Sequence, residues 1–453
     1  MLYSLKLKLD TLKINSVFKY GMANILPRSV ALFGALLLTP LAISRLGIAD
    51  YGIWVLATLI PTLILAPDFG ITYGLVNEIS KIFLKYRSIA SQKLRLLNLN
   101  KLLKYIAFGW LSLGLIIAGF YTVQSGSGAQ SPRLFVSLCL SLATFSISIP
   151  ATLWARTQLG IERGHEALRW EGIGKLASFL ISLLILLFVP NLYLFIIATL
   201  LPTTICAIIN GFVFRNKTFG KSNQHRENLD SLKQIMRDES ELISSGHYFF
   251  IAQVAYLIGL ALDPFIINYF LDSKEVAYYS IIRRPFDALP LIITLFSTGL
   301  WPVFNKLNEM NQIFQLRSII NRLFMFSIIM LFISSSLIIL FKFYLYGFIG
   351  NNKITPYESD IFWIALQTLG VTIFIICNNY LYAVNLIKLQ SIILLISACI
   401  SVLIKIYVIE RAGVHAYFSA SAITYTTLTT IPVIYLTLSH VNRRLKDTKG
   451  DFM

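Results

Sequence analysis

The sequence predicts an all-α polytopic membrane protein of about twelve transmembrane helices in two six-helix lobes. Three observations carry that prediction. The chain of 453 residues is 56% hydrophobic and only 13% charged, with a mean hydropathy of +0.70, whereas a soluble domain carries about 25% charged residues. The apolar residues fall into runs of about 20, the length of a helix that crosses a hydrocarbon core about 30 Å thick. The lysines and arginines gather on one side of those runs, as the positive-inside rule requires.

Taken in order, the expected spans are 22–44, 51–77, 105–123, 134–153, 173–189, 192–213, 247–270, 278–303, 322–341, 361–384, 391–409 and 415–439. The first follows a basic N-terminus but is too long and too late for a cleaved signal peptide, so it reads as a retained helix. The fifth and sixth are parted by the short turn "VPNLY" (Val189–Tyr193). With both termini cytoplasmic, 29 of the 39 Lys and Arg lie inside, 6 lie outside and the rest fall within spans. The densest inside loop, Lys81 to Lys104, contains no acid. It serves either as a topology signal or as a surface against anionic lipid.

A net charge of +17 invites a nucleic-acid reading, but basic loops are the normal property of a polytopic chain. The outside loops are short, the longest lying near residues 343–360, which leaves little room for a catalytic site. No G-x-x-x-x-G-K-[ST] loop is present. The five histidines show no metal-ligand spacing, and no Ser-His-Asp or paired-carboxylate arrangement stands out. An enzyme is not expected, nor is a cofactor or a metal. Cys139, Cys206, Cys377 and Cys399 form no C-x-x-C pair and read as small buried hydrophobes.

The longest polar interruption divides the chain. Residues 1–214 are expected to form an N-terminal six-helix lobe, 215–245 a cytoplasmic linker with an amphipathic helix, and 246–453 a C-terminal lobe with a basic tail. The halves echo each other. Pro40, Tyr51-Gly52, Pro61 and Gly70 in the first correspond to Pro264, Tyr279-Ser280, Pro290 and Gly299 in the second. Repeated halves with a substrate near the midplane are a transporter architecture.

The stretch "LLLTPLAISRLGIADYGIWVLATLIPTLILAPDFGITYGLVNEISK" carries Leu46-Gly47, Tyr51-Gly52 and Asp68-Phe69-Gly70. It resembles the opening of bacterial polysaccharide (O-antigen, Wzx-type) flippases. "EVAYYSIIRR" and "LWPVF" after Asp263 agree with that likeness in the second half. The resemblance implies the fold of the multidrug/oligosaccharidyl-lipid/polysaccharide (MOP) exporter superfamily, which is MATE-like. It implies alternating access in a bacterial inner membrane. The expected cargo is an undecaprenyl-pyrophosphate-linked oligosaccharide moved from the cytoplasmic to the periplasmic leaflet, with membrane lipids and other polysaccharide assembly proteins as partners. The alternative is a cation-coupled multidrug exporter of the same superfamily.

Charges inside the spans nominate the site, because a charge at mid-membrane costs about 2.5–3.5 kcal/mol even on the lenient scale. Arg283, Arg284 and Asp287 fall within five residues. On one continuous helix, Arg283, Asp287, Pro290, Thr294, Ser297 and Trp301 lie within roughly 40° of one line. That stripe faces a watered cavity, or else the two arginines snorkel to the outer surface. Asp287 can pair with either arginine, and Pro285 loosens the helix between them. Arg28, Asn378 and Lys405 complete the substrate-binding candidates, with Lys405 near enough to a span end to snorkel and Asn378 and Asn379 able to bridge helices instead. Asp68, Asp263 and Asp287 are the candidates for a coupling proton or ion. Arginine suits a pyrophosphate because its fork of donors matches phosphate oxygens.

Overall fold

The computed structural model describes residues 27, 29–30, 34, 36–63, 75, 89–124, 131–161, 163–220, 248, 250–287, 290, 304, 307–308, 310–352, 354–384 and 386–450. Every regular element among them is helical. The chain forms two compact units. One comprises residues 1–38 and 53–250, the other Thr39–Gly52 with Ile251–Met453.

The first unit is built on α2 (Ile48–Leu63, from residue 53), α3 (Ile89–Gln124), α4 (Ser131–Gly160), α5 (Gly164–Phe188) and α6 (Leu192–Phe219). Helix α1 (Leu36–Leu46) precedes them. Within the unit α6 packs most extensively on α5 and on α4, and α3 packs on α4. A Cβ on Gly174 would stand 2.9 Å from the Thr203 Cα, so only glycine lets these two backbones approach. Two buried amide side chains pair: Gln158 and Asn210 exchange two hydrogen bonds of 3.0 Å. Ser141 donates to the Ala57 carbonyl at 2.6 Å. Asn191 caps α6 by accepting from the Tyr193 and Leu194 amides, which ends the "VPNLY" turn where expected.

The second unit starts with α7 (Phe250–Ala261), which bends by 42° into α8 (Asp263–Phe270). The bend has a cause. Leu257–Ala261 widens into a π turn, with the Leu262 amide donating to Leu257 O. Pro264 then supplies no amide. Helix α9 (Ser273–Arg283) is capped by Asp272, which accepts from the Lys274 and Glu275 amides. It is followed by α10 (Ile313–Leu340), α11 (Lys342–Ile349), α12 (Glu358–Ala383), α13 (Ile387–Thr424) and α14 (Ile431–Gly450). A second π segment, Tyr425–Thr430, joins α13 to α14. Helix α13 breaks at Gly413, where φ is +70° and ψ −164°, a conformation almost confined to glycine. The part before Gly413 covers the expected span 391–409, whereas the expected span 415–439 is divided among the end of α13, the π segment and the start of α14. Residues such as Ile320, Cys377, Leu394 and Val433 close the core between α10, α12, α13 and α14.

Among the described residues, seven helices are long and apolar enough to cross a membrane, or eight with the bent α7–α8 pair. In α12, 67% of the most apolar window is buried; in α3 and α10 only 17% is. Helix α12 is therefore central to its unit, and α3 and α10 present Phe108, Ile116, Phe120, Phe332 and Leu340 outward, as lipid-facing helices do.

Several expectations change. The helix over 278–303 is not continuous: α9 stops at Arg283, and Arg284–Asp287 form a turn because Pro285 cannot extend the ladder. Residues 89–104 of the basic loop are the start of α3, with Leu96, Leu99 and Leu103 fully buried. Cys399 is exposed rather than buried; it sits on the outward apolar face of α13 beside Ile396, Ile400 and Leu403. The expected linker helix lies outside the described residues, except that α6 continues through Phe219.

Candidate functional site

Lys405 directly, and Arg283 through Tyr279, converge on Asp263. The bend between α7 and α8 aims this carboxylate inward, where its exposure is 0%. Four side chains from two other helices donate to it. Lys405 Nζ and the Tyr417 hydroxyl reach Oδ1, each at 2.8 Å. Ser421 and Tyr279 reach Oδ2 at 3.0 and 3.1 Å. Both lone-pair faces of the carboxylate are thereby used, as a buried charge requires. Lys405 is itself 0% exposed and also donates to Gly259 O, inside the π turn, at 2.6 Å. Gln367 of α12 donates to Ser421 at 2.8 Å and fixes that hydroxyl.

Tyr279 links this buried pair to an accessible one. Its hydroxyl accepts from Arg283 Nη1 at 2.9 Å. Arg283 Nε donates to Asp287 at 3.2 Å, so the expected pair four residues apart is formed. The side chains of Arg283 and Asp287 are 26% and 47% exposed, in contrast to the sealed Asp263–Lys405 pair. A single chain of polar contacts thus runs Asp287–Arg283–Tyr279–Asp263–Lys405. Arg284 donates to the Tyr51 hydroxyl at 3.5 Å, and that hydroxyl lies 3.4 Å from Thr39 Oγ1.

The neighbouring tyrosine serves a second acid. Tyr278 donates to Asp360 at 2.8 Å, and His415 Nδ1 lies 2.7 Å from the same oxygen. Successive tyrosines on α9 therefore hold α12 and α13 through two different carboxylates. At the start of α9, outside the expected spans, burial pushes the Glu275 carboxyl above its usual range; Asp272 adds to that shift and His415 opposes it.

The nominated residues divide. Asp263, Arg283, Asp287 and Lys405 are joined, with Arg284 beside them. Lys405 does not snorkel: its ammonium is held by an oppositely charged partner at the bend of α7–α8. Asn378 accepts from Gln390 and so bridges α12 and α13, while Asn379 Nδ2 donates to Ile375 O at 2.8 Å. Arg28, Asp68 and residues 291–303, with Thr294, Ser297 and Trp301, lie outside the described residues. Tyr279, Tyr417, Ser421, Asp360 and His415 were missed. A signal existed for two of them, because Tyr417 and Ser421 are polar residues four apart on one face of an apolar helix.

Comparisons with known proteins agree with this architecture. Residues 20–308 match the family described as "Polysaccharide biosynthesis protein". An inward-facing multidrug resistance MATE family transporter of the MOP superfamily shares the fold at TM-score 0.67 and 12% identity, over 94% of this chain and 96% of that one. The lipid II flippase MurJ, in an inward closed conformation, gives 0.68 and 14% over 93% and 87%. A MOP superfamily transporter from Pyrococcus furiosus, described by the reverse polarity of its binding pocket, gives 0.59 and 12% over 95% and 96%. No curated protein matches by sequence. The chain is a multi-pass membrane protein with the MOP transporter fold, and it belongs to the polysaccharide biosynthesis protein family.

Proposed function

We propose that this protein flips an undecaprenyl-pyrophosphate-linked oligosaccharide, of O-antigen or capsule type, from the cytoplasmic to the periplasmic leaflet of a bacterial inner membrane by alternating access. Both termini are cytoplasmic in this reading, which rests on the 29 to 6 bias of basic residues. The observation that carries the proposal is the accessible Arg283–Asp287 pair, whose guanidinium also reaches Tyr279 and, through it, buried Asp263. Asp287 occupies one guanidinium nitrogen of Arg283. An arriving pyrophosphate competes for that nitrogen as a denser, bidentate acceptor. Its arrival alters the hydrogen bond that Tyr279 receives, and so the set of donors around Asp263. Asp263 is then the candidate for the coupling proton, and Lys405 its counter-charge rather than a direct ligand of the cargo. Arg28 and Arg284 would add positive charge along the path, and Asn378 sugar contacts.

The multidrug exporter remains the second reading because the MATE and MurJ folds match equally well. The family and the arginine pair favour the anionic lipid. The test is complementation. In a bacterium lacking its own polysaccharide flippase but holding a compatible glycan pathway, the gene restores surface glycan and leaves tolerance to cationic dyes unchanged. Raised dye tolerance without glycan would overturn the proposal in favour of the exporter.

A further inference from the structure

We propose that the Lys405 ammonium occupies a monovalent-cation site built from the Gly259 carbonyl and the Asp263 carboxylate, so that the protein carries its own tethered cation there and binds no Na⁺. The inference stands on the Asp263 cluster alone and does not depend on the cargo.

The ligands are those of a hard cation. Gly259 lies inside the π turn, whose Leu262 amide donates five residues back to Leu257 O, and at that same spacing the donor to the Gly259 carbonyl would be residue 264. Residue 264 is a proline and has no N–H to give. That carbonyl instead accepts from Lys405 Nζ at 2.6 Å, while Asp263 Oδ1 accepts from the same nitrogen at 2.8 Å. The other groups bonded to Asp263 are the hydroxyls of Tyr417, Ser421 and Tyr279, whose oxygens can turn a lone pair toward a cation. A carbonyl and a carboxylate oxygen at a broken helix, with hydroxyls on the same carboxylate, are hard-oxygen donors of the kind that take Na⁺.

Charge decides the occupant. Asp263 and Lys405 are both sealed from solvent and together neutral. A Na⁺ added beside them would leave an uncompensated buried positive charge, which the protein interior opposes strongly. An ammonium on a four-carbon stem is held at the effective concentration of an intramolecular ligand and does not diffuse away. Without Lys405 the place of its ammonium keeps one carbonyl oxygen and one carboxylate oxygen, with three hydroxyls on that carboxylate and a single negative charge to be matched. A purely structural ion pair makes a different statement: losing Lys405 would destabilise the protein, and no small cation would restore it.

Binding of ²²Na⁺ to the purified, detergent-solubilised full chain separates the two. Thermal unfolding in NaCl against choline chloride at equal ionic strength gives a second readout. The wild type is expected to bind no saturable ²²Na⁺ and to melt at the same temperature in both salts. Lys405→Ala is expected to bind ²²Na⁺ saturably and to melt several degrees higher in NaCl, as mass action requires of a ligand bound only by the folded state. Adding Asp263→Asn should remove both effects. Saturable ²²Na⁺ binding by the wild type that Asp263→Asn abolishes would overturn the proposal. So would a monodisperse Lys405→Ala protein indifferent to Na⁺, Li⁺ and K⁺. If Lys405→Ala is recovered only when purified in an alkali chloride, the proposal is supported. If neither it nor Lys405→Gln folds in any of these salts, the proposal fails, since a small cation should replace the missing ammonium.

Discussion

Asp263 accepts hydrogen bonds from residues 16 to 158 positions away in sequence. Its own span marked it, because a charge next to a proline in an apolar run is rare enough to be noticed. Its partner was also marked, as the only base in the expected span 391–409, but the pairing was not. Helical periodicity assigns a residue to a face, and it carries no information on which face of another helix lies opposite. Lys405 therefore read more readily as a snorkelling side chain. The pairing has a measurable consequence. Removing one member leaves a buried charge unmatched, at a cost of about 3–5 kcal/mol, while removing both can be nearly neutral. In a sodium-free buffer, Lys405→Met and Asp263→Asn should each lower the unfolding temperature of the purified protein. The Asp263→Asn/Lys405→Met double variant should lose less than the sum of the two, and a strictly additive result would deny the coupling.

At the scale of elements, α9 was the least legible piece of the second unit. Its apolar length suggested one span through Trp301, and the wheel drawn on that basis treated Pro285 as a loosened point rather than an end. The i,i+4 pair survived because the turn after Arg283 keeps Asp287 within reach, its amide donating to Arg283 O at 3.2 Å. The opposite case is Gly52. Tyr51-Gly52 is visible in the sequence as half of a repeat and of a family likeness, but only the packing explains it. A Cβ at Gly52 would fall 1.9 Å from the Ser273 carbonyl, where α9 begins, and Tyr51 beside it is fully buried. Gly52→Ala must push the Thr39–Gly52 segment away from α9. Overpacking of this kind costs about 1–3 kcal/mol and should lower the unfolding temperature by several degrees. Gly109→Ala is the control. A Cβ there meets nothing within 4 Å, so the change should leave stability equal or slightly raised through helix propensity. Equal unfolding temperatures for the two variants would contradict the close approach at Gly52.

For the whole molecule, composition and the spacing of apolar runs were sufficient for the all-α membrane class, because the hydrocarbon core fixes helix length whatever the fold. Helix ends were less accurate: α5 begins at Gly164 and α10 at Ile313, each about nine residues before the expected span. Such helices continue past the apolar core, where hydropathy no longer reports on them. No pattern in the sequence announced that Thr39–Gly52 belongs with the second unit, since that grouping comes from packing between segments more than 200 residues apart. The proposal that the arginine pair reads an anionic lipid phosphate and passes that occupancy inward also belongs to this scale. Arg283 uses two different nitrogens, one for Asp287 and one for Tyr279, which a lysine ammonium on a different stem cannot reproduce. The most direct measurement is translocation of a pyrophosphate-linked oligosaccharide in vesicles reconstituted with matched amounts of wild type, Arg283→Lys/Arg284→Lys and Arg283→Ala/Arg284→Ala. Translocation should fall about 10–100-fold in the double lysine variant, the worth of one to two charge-assisted hydrogen bonds, and vanish in the double alanine variant. Full activity in the double lysine variant would contradict a phosphate-reading role for this pair.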